Sequence, residues 1–247
     1  MARSVSSIAV TPIKGFALDF PEAVALGPNG VEENRRFALV NADGARLRST
    51  KHAWPCTLSA RYDARGGRLA VRLPDGREVS GDVEPAEEIR FDYHGDLVSG
   101  RVIDGPWTNP LSQLARTPVR LVKLDQAGRV QGEPVTIVST ASLEHIAAKA
   151  GRNVDPRRFR MLFHVDGCEA HEEDAWLGRS VRIGDAVVRV VELVERCVVT
   201  TRDPATGERD LDTLALLKGY RGSIDFGVRA RVEQPGTVAV GDAVEPL

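Results

Sequence analysis

Between Thr57 and Gly100 short aliphatic runs alternate with tight-turn residues, and this rhythm limits the fold more than anything else in the chain. Strands are expected near Leu58–Tyr62, Leu69–Leu73, Glu78–Ser80, Ile89–Tyr93 and Leu97–Ile103. They are punctuated by Arg65-Gly66-Gly67, Pro74-Asp75-Gly76, Gly81-Asp82 and Gly95-Asp96. Glycine takes up backbone conformations other residues avoid, and Pro and Asp favour turn entry, so each cluster reverses the chain. Strands this short and this closely spaced assemble as a barrel or a sandwich.

The pattern recurs at Ser6–Val10, broken at Pro12, and at Arg36–Val40, with Asn41-Ala42-Asp43-Gly44 as a hairpin turn into Ala45–Thr50. It returns at Val119–Leu124, Ser180–Ile183, Ala186–Val194, Phe226–Val232 and Val238–Val240. Between Arg157 and Val165, Phe159, Met161, Phe163 and Val165 would share one strand face and leave Arg160 on the other, where it needs an anion or water. Short helices are expected at Trp107–Ala115, Leu143–Ala150 and Leu211–Tyr220, the second opened by Ser139-Thr140-Ala141-Ser142 and stopped by Gly151. A boundary near residue 120 gives two units, 1–120 and 121–247. The fold class is mainly β with a few short helices.

At 247 residues, 42% hydrophobic and 28% charged, the chain buries a sizeable core and is not disordered. Its net charge of −2 gives no global basic excess to attract nucleic acid, although local basic clusters can still hold a small anion. Cys56, Cys168 and Cys197 are an odd number of thiols in a chain whose start, Met1-Ala2-Arg3-Ser4, is not signal-like. A reducing cytoplasm fits best. No apolar run has the length needed to cross a bilayer.

Four places carry candidate chemistry, each beside a plainer reading. Cys197 follows a strand-like run, Val187–Glu195, and precedes Thr200-Thr201-Arg202-Asp203-Pro204 with Gly207 closing a turn. Its thiolate would ligate a metal or attack sulfur, helped by Arg196 and Arg202 if they point its way; otherwise it is a small buried hydrophobe. Lys14, in Pro12-Ile13-Lys14-Gly15, either meets an anion or is solvated at a turn. The hydroxyls of Ser139, Thr140 and Ser142 either hold a phosphate at a helix start or cap that helix. Cys168-Glu169-Ala170-His171 has the spacing of half a zinc site, but no second close pair follows. No internal repeat, GxGxxG, P-loop, GxSxG or HExxH motif occurs.

From Arg158 onward the order of features resembles the MOSC domain, the domain found at the C-terminus of molybdenum cofactor sulfurases. The matching residues are Arg158-Phe159-Arg160, Glu173-Asp174-Ala175-Trp176, Ile183-Gly184-Asp185, Arg196-Cys197-Val198-Val199-Thr200-Thr201, Phe226-Gly227-Val228 and Val240-Gly241-Asp242. Pro12-Ile13-Lys14-Gly15, Gly30, Arg36-Phe37 and Asp43-Gly44 resemble the β-barrel domain that precedes MOSC in a two-domain branch of the family. That branch includes the amidoxime-reducing components, which bind molybdenum cofactor and reduce N-hydroxylated compounds.

The resemblance implies a two-part MOSC-type β-barrel architecture, with 121–247 as the MOSC domain. It implies Cys197 as the catalytic thiolate ligand of molybdenum, and Lys14, Arg36 and Arg160 as contacts to the pterin or its phosphate. It makes Ser139, Thr140 and Ser142 a phosphate site. Met161-Leu162 stand where related members carry Pro-Asn, which implies one polar cofactor contact fewer. The activity implied is a molybdenum-cofactor oxidoreductase acting on N-hydroxylated compounds. Its electrons would come from a separate iron–sulfur or flavin protein, because three dispersed cysteines build no cluster and no dinucleotide fingerprint is present. A sulfur carrier with a Cys197 persulfide, or a cofactor-free binding module, are the alternatives.

Overall fold

In a computed structural model, residues 2–48, 50–93, 96–125 and 133–247 are described. The strands in chain order are β1 (Ser4–Ile8), β2 (Ala23–Gly27), β3 (Gly30–Val31), β4 (Phe37–Asn41), β5 (Ser59–Asp63), β6 (Arg68–Arg72), β7 (Glu78–Asp82), β8 (Pro85–Tyr93) and β9 (Asp96–Ile103). They continue as β10 (Val119–Leu124), β11 (Val135–Ser139), β12 (Phe163–Asp166), β13 (Ser180–Ile183), β14 (Ala186–Glu195), β15 (Asp225–Gln234), β16 (Gly236–Ala239) and β17 (Val244–Pro246). Three helices are interposed: α1 (Thr108–Ala115), α2 (Thr140–Ala150) and α3 (Thr213–Arg221). The mainly β class read from the turns is what the chain adopts. The expected turn at Gly95-Asp96 reaches into 94–95, outside the described residues.

Seven strands form one sheet in the order β1-β12-β11-β15-β14-β13-β17. Its two edges meet: Ser4 bridges Ala243, Val5 N–H donates to Asp242 O at 2.8 Å, and Gly241 N–H donates to Val5 O at 2.8 Å. The first strand of the chain thus closes a barrel against the last. Inward side chains including Val5, Ile8, Phe163, Val165, Val188 and Val228 fill it. A separate unit is built from the sheets β4-β10-β9-β8 and β5-β6-β7, with Phe37, Leu58, Leu69, Trp107 and Leu121 buried in its core. Strand pairing crosses residue 120 in both directions: β1 pairs β12, β2 pairs β16, and β10 pairs β4 and β9.

Two expected strands are replaced by turns. Residues 157–165 do not run as one strand, because Pro156 opens a single 3-10 turn over Pro156–Phe159 and Asp155 caps it, accepting from Arg157 N–H at 2.9 Å. Arg160 then takes a left-handed φ of 53°, and the strand begins only at Phe163. After the Asn41–Gly44 turn the returning chain makes one isolated bridge, Val40 to Arg46, rather than a strand over Ala45–Thr50. The helices fall close to expectation. Ser139 caps α2 by accepting from Ser142 N–H, and Gly151 ends it in a left-handed turn. Among the described residues no helix is long and apolar enough to cross a membrane.

His164 lies on β12 between β1 and β11 and is buried, and burial pushes its imidazole down to about 4. The unfolded chain therefore binds a proton near pH 6.5 that the folded chain refuses until about pH 4. Stability from this group is present above pH 6.5 and is lost as pH falls through that window, by up to about 3 kcal/mol. Denaturant unfolding of the wild type and His164→Gln at pH 7 and pH 4.5 is expected to show a smaller acid loss in the variant. Equal losses would remove His164 as the cause.

Candidate functional site

Cys197 stands where β14 ends. Arg196 N–H still bonds across to Ile224 O at 3.1 Å, and the chain then turns into a 3-10 turn over Val198–Thr201. Thr200 holds that turn by donating both its N–H and its hydroxyl to Cys197 O at 3.0 Å, and its Oγ1 lies 2.6 Å from Thr213 Oγ1 at the start of α3. A hydroxyl pair buried between a turn and a helix fixes the backbone of Cys197 while leaving the residue itself exposed. Arg196 and Arg202 do not spend their hydrogen bonds on the thiol. Arg196 donates to Phe159 O and, at 3.3 Å, to Met161 Sδ; Arg202 donates to Gly207 O and Thr50 O. They brace the turn from two sides.

The thiol lines a cavity of about 230 Å³ together with Lys14 and Arg160, two of the cations singled out in the sequence. Lys14 is delivered by the loop after β1: its N–H donates to Phe37 O at 3.0 Å, and the positive φ of Gly15 (95°) turns the chain away. Arg160 donates to Phe16 O at 2.6 Å, and its own carbonyl accepts from Arg35 at 3.0 Å. The loop after β1, the stretch before β4 and the turn before β12 are thereby tied into one wall. Arg35 and Arg160 both have left-handed backbones, φ 53° each, a conformation that costs a non-glycine residue on the order of 1 kcal/mol or more.

The other expected contacts lie elsewhere. Arg36 turns away from the cavity toward Glu32, 3.2 Å distant, and its neighbour Arg35 takes the place in the wall. Ser139 and Ser142 are fully buried, their hydroxyls 2.7 Å apart, with Ser142 donating to the buried Glu173 at 2.8 Å. Thr140 donates to Asp166 at 2.6 Å. All three hydroxyls serve the cap of α2 and its neighbours, and none lines the cavity. Leu162 points into the barrel core and Met161 into the cavity wall, so the side chain at 162 is not directed at the site. Around Cys168 and His171 no group of three or more His, Cys, Asp or Glu side chains is arranged to hold a metal ion among the described residues.

The electrostatics of the cavity call for an anion. Among the described residues it is lined by eight Lys and Arg side chains against two carboxylates, Glu133 and Glu195. Burial, with Arg46 and Arg35 close by, pushes the Lys14 amine down to about 5. Burial likewise lowers the Arg160 and Arg196 guanidinium groups to about 10. Arg196 Nε and Arg158 Nε and Nη1 are buried without a hydrogen-bond partner among the described residues. At pH 7 the unfolded chain carries the Lys14 proton that the folded chain sheds, so this lysine works against folding. Lys14→Met is expected to stabilise the empty protein by about 1–2 kcal/mol in thermal unfolding while weakening anion binding; a destabilised variant would overturn this.

A closed barrel thus presents the exposed thiol of Cys197 to a cavity walled by cations. The chain belongs to the MOSC-domain family, whose model matches residues 124–245. It is 36% identical to mitochondrial amidoxime reducing component 2 of Bos taurus over 98% of this chain and 82% of that protein. To mitochondrial amidoxime-reducing component 1 of Mus musculus it is 36% identical over 49% of this chain and 38% of the relative. The crystal structure of the YuaD protein from Bacillus subtilis aligns over 100% of this chain and 96% of its own, with a TM-score of 0.49 at 12% identity.

Proposed function

We propose that this protein binds a molybdenum cofactor and reduces N-hydroxylated compounds with electrons from a separate iron–sulfur or flavin protein. One observation carries the reading: an exposed thiol meets, in one cavity, buried cations drawn from stretches far apart in sequence. The relatives named as amidoxime-reducing components support the substrate class. The buried, unpartnered Nε of Arg196 fits an anionic group.

Cys197 would ligate the metal, with Lys14, Arg35 and Arg160 against the pterin and its phosphate. When bound, the group supplies two-electron removal of oxygen from an N–O bond. The chain's own residues do the holding: Thr200 and Thr213 fix the Cys197 turn, Arg196 ties it to the Arg160 turn, and Lys14 supplies charge where an anion restores its proton. Our reading includes a reducing compartment such as the cytoplasm, which the three free thiols support. Protein made in a cofactor-competent host should carry near-stoichiometric molybdenum by mass spectrometry and reduce a benzamidoxime-type substrate with an artificial donor. Background metal, under conditions that load a relative, would sink this reading and turn attention to sulfur carried on Cys197.

A further inference from the structure

A second, smaller cavity of about 30 Å³ adjoins the first, sharing Gly15, Arg158 and Arg160 with it but not Cys197. Arg157, Arg158, Arg160 and Arg202 line it, with His52 and the half-buried Cys56. The volume holds about two water-sized spheres or one compact tetrahedral ion.

The charges around it do not balance. Arg157 is held by Asp155 at 2.6 Å. The Arg158 side chain is 2% exposed and meets Asp210 at 2.7 Å and Asp203 at 3.7 Å, yet its Nε and Nη1 are buried with no acceptor among the described residues. Asp203 also lines the cavity, but its carboxylate is engaged by the N–H groups of Ala205 and Thr206 at 2.9 Å each. Arg160 and Arg202 donate to backbone carbonyls and meet no carboxylate within ion-pair distance among the described residues. Arg202 Nε is buried and unpartnered as well. Two unbalanced guanidinium groups line this small space, and three N–H-bearing nitrogens of its lining arginines are buried without an acceptor among the described residues.

We propose that this smaller cavity is a binding site for a single oxyanion of the phosphate class, held by Arg158, Arg160 and Arg202 and separate from the group that Cys197 meets. The occupant is the free ion, inorganic phosphate or a like oxyanion; occupation by the phosphate end of a ligand lying in the larger cavity would make the two cavities one site. Each cavity contains its own reporter thiol, Cys56 in the small one and Cys197 in the large.

The test uses the full chain free of metal, with inorganic phosphate as the probe, at low ionic strength. Maleimide labelling followed by peptide mapping is expected to show phosphate slowing modification of Cys56 at least fivefold and leaving Cys197 unchanged. Calorimetry should give saturable binding that Arg202→Gln weakens tenfold or more and Arg202→Lys largely restores. Absence of saturable binding, or protection of Cys197 in place of Cys56, would overturn the assignment. The labelling arm needs no variant, so a misfolded Arg202→Gln leaves the test intact. Repeating it on protein from a cofactor-competent host is expected to show Cys56 protected only on addition of phosphate; Cys56 already protected without added phosphate would overturn the separate site by making it the phosphate end of the bound ligand.

Discussion

Cys197→Ser is expected to lower molybdenum content at least tenfold and N-hydroxy reduction at least a hundredfold, whereas Cys56→Ser and Cys168→Ser keep the metal. Serine offers a hard, neutral hydroxyl where a soft thiolate would bind, and alcohols are poor substitutes for thiolates on such metals. Nothing in the fold depends on the sulfur, because Cys197 is exposed and its turn is held by backbone and threonine hydroxyl contacts. Unfolding stability should therefore shift by no more than about 0.5 kcal/mol. The controls are chosen by environment. Cys168 packs beside the barrel core, and burial with Glu172 and Glu173 pushes its thiol up to about 11, so it is protonated at neutral pH. Metal retained in Cys197→Ser, measured on parallel preparations, would remove the thiol from the site.

A fragment of residues 121–247, although it includes the whole family match, is expected not to fold alone. It lacks β1, which pairs β12 and closes the barrel, and it lacks β2 and β3, which pair β16 and each other. Val5, Ile8, Val10, Leu26 and Val31 are all buried in the barrel core and all missing from the fragment. At about 1.5–3 kcal/mol for each buried aliphatic side chain, the loss equals or exceeds the whole stability of an ordinary domain. It also bares a strand edge that favours association. Circular dichroism and gel filtration should show an unfolded or aggregated fragment, recovered by joining residues 1–36 to it. A monomeric fragment with a cooperative transition would refute the argument.

Much of this architecture was legible because turn chemistry is local. Pro74-Asp75-Gly76 and Asn41–Gly44 reverse the chain wherever they occur, so the β meander could be placed without knowing its partners. The alternation over 157–165 misled because a strand pattern and a capped 3-10 turn share the same apolar spacing, and Asp155-Pro156 decided between them. Lys14, Arg160 and Cys197 carried enough signal to be singled out separately, yet only the fold brings them to one cavity. Arg35 was missed beside Arg36 because its left-handed backbone selects which of two adjacent arginines faces inward, and sequence does not show a single φ. The hydroxyls of Ser139 and Ser142 were ambiguous by nature: a helix start that can hold phosphate can equally hold its own cap.

The strand that seals the barrel leaves the ribosome well before its partners and is among the last to find its place. Val5 must wait for Val165, and Ser4 for Ala243, before either has a neighbour. During synthesis the unit from β4 to β10 can complete its own sheets, while the N-terminal strand stays unpaired beside it. The cavity wall joins residues made early, Lys14 and Arg35, to residues made late, Arg160 and Cys197. The wall is therefore whole only once the segment carrying Cys197 has folded back onto the segment carrying Lys14, and binding of an anion there would report on that assembly.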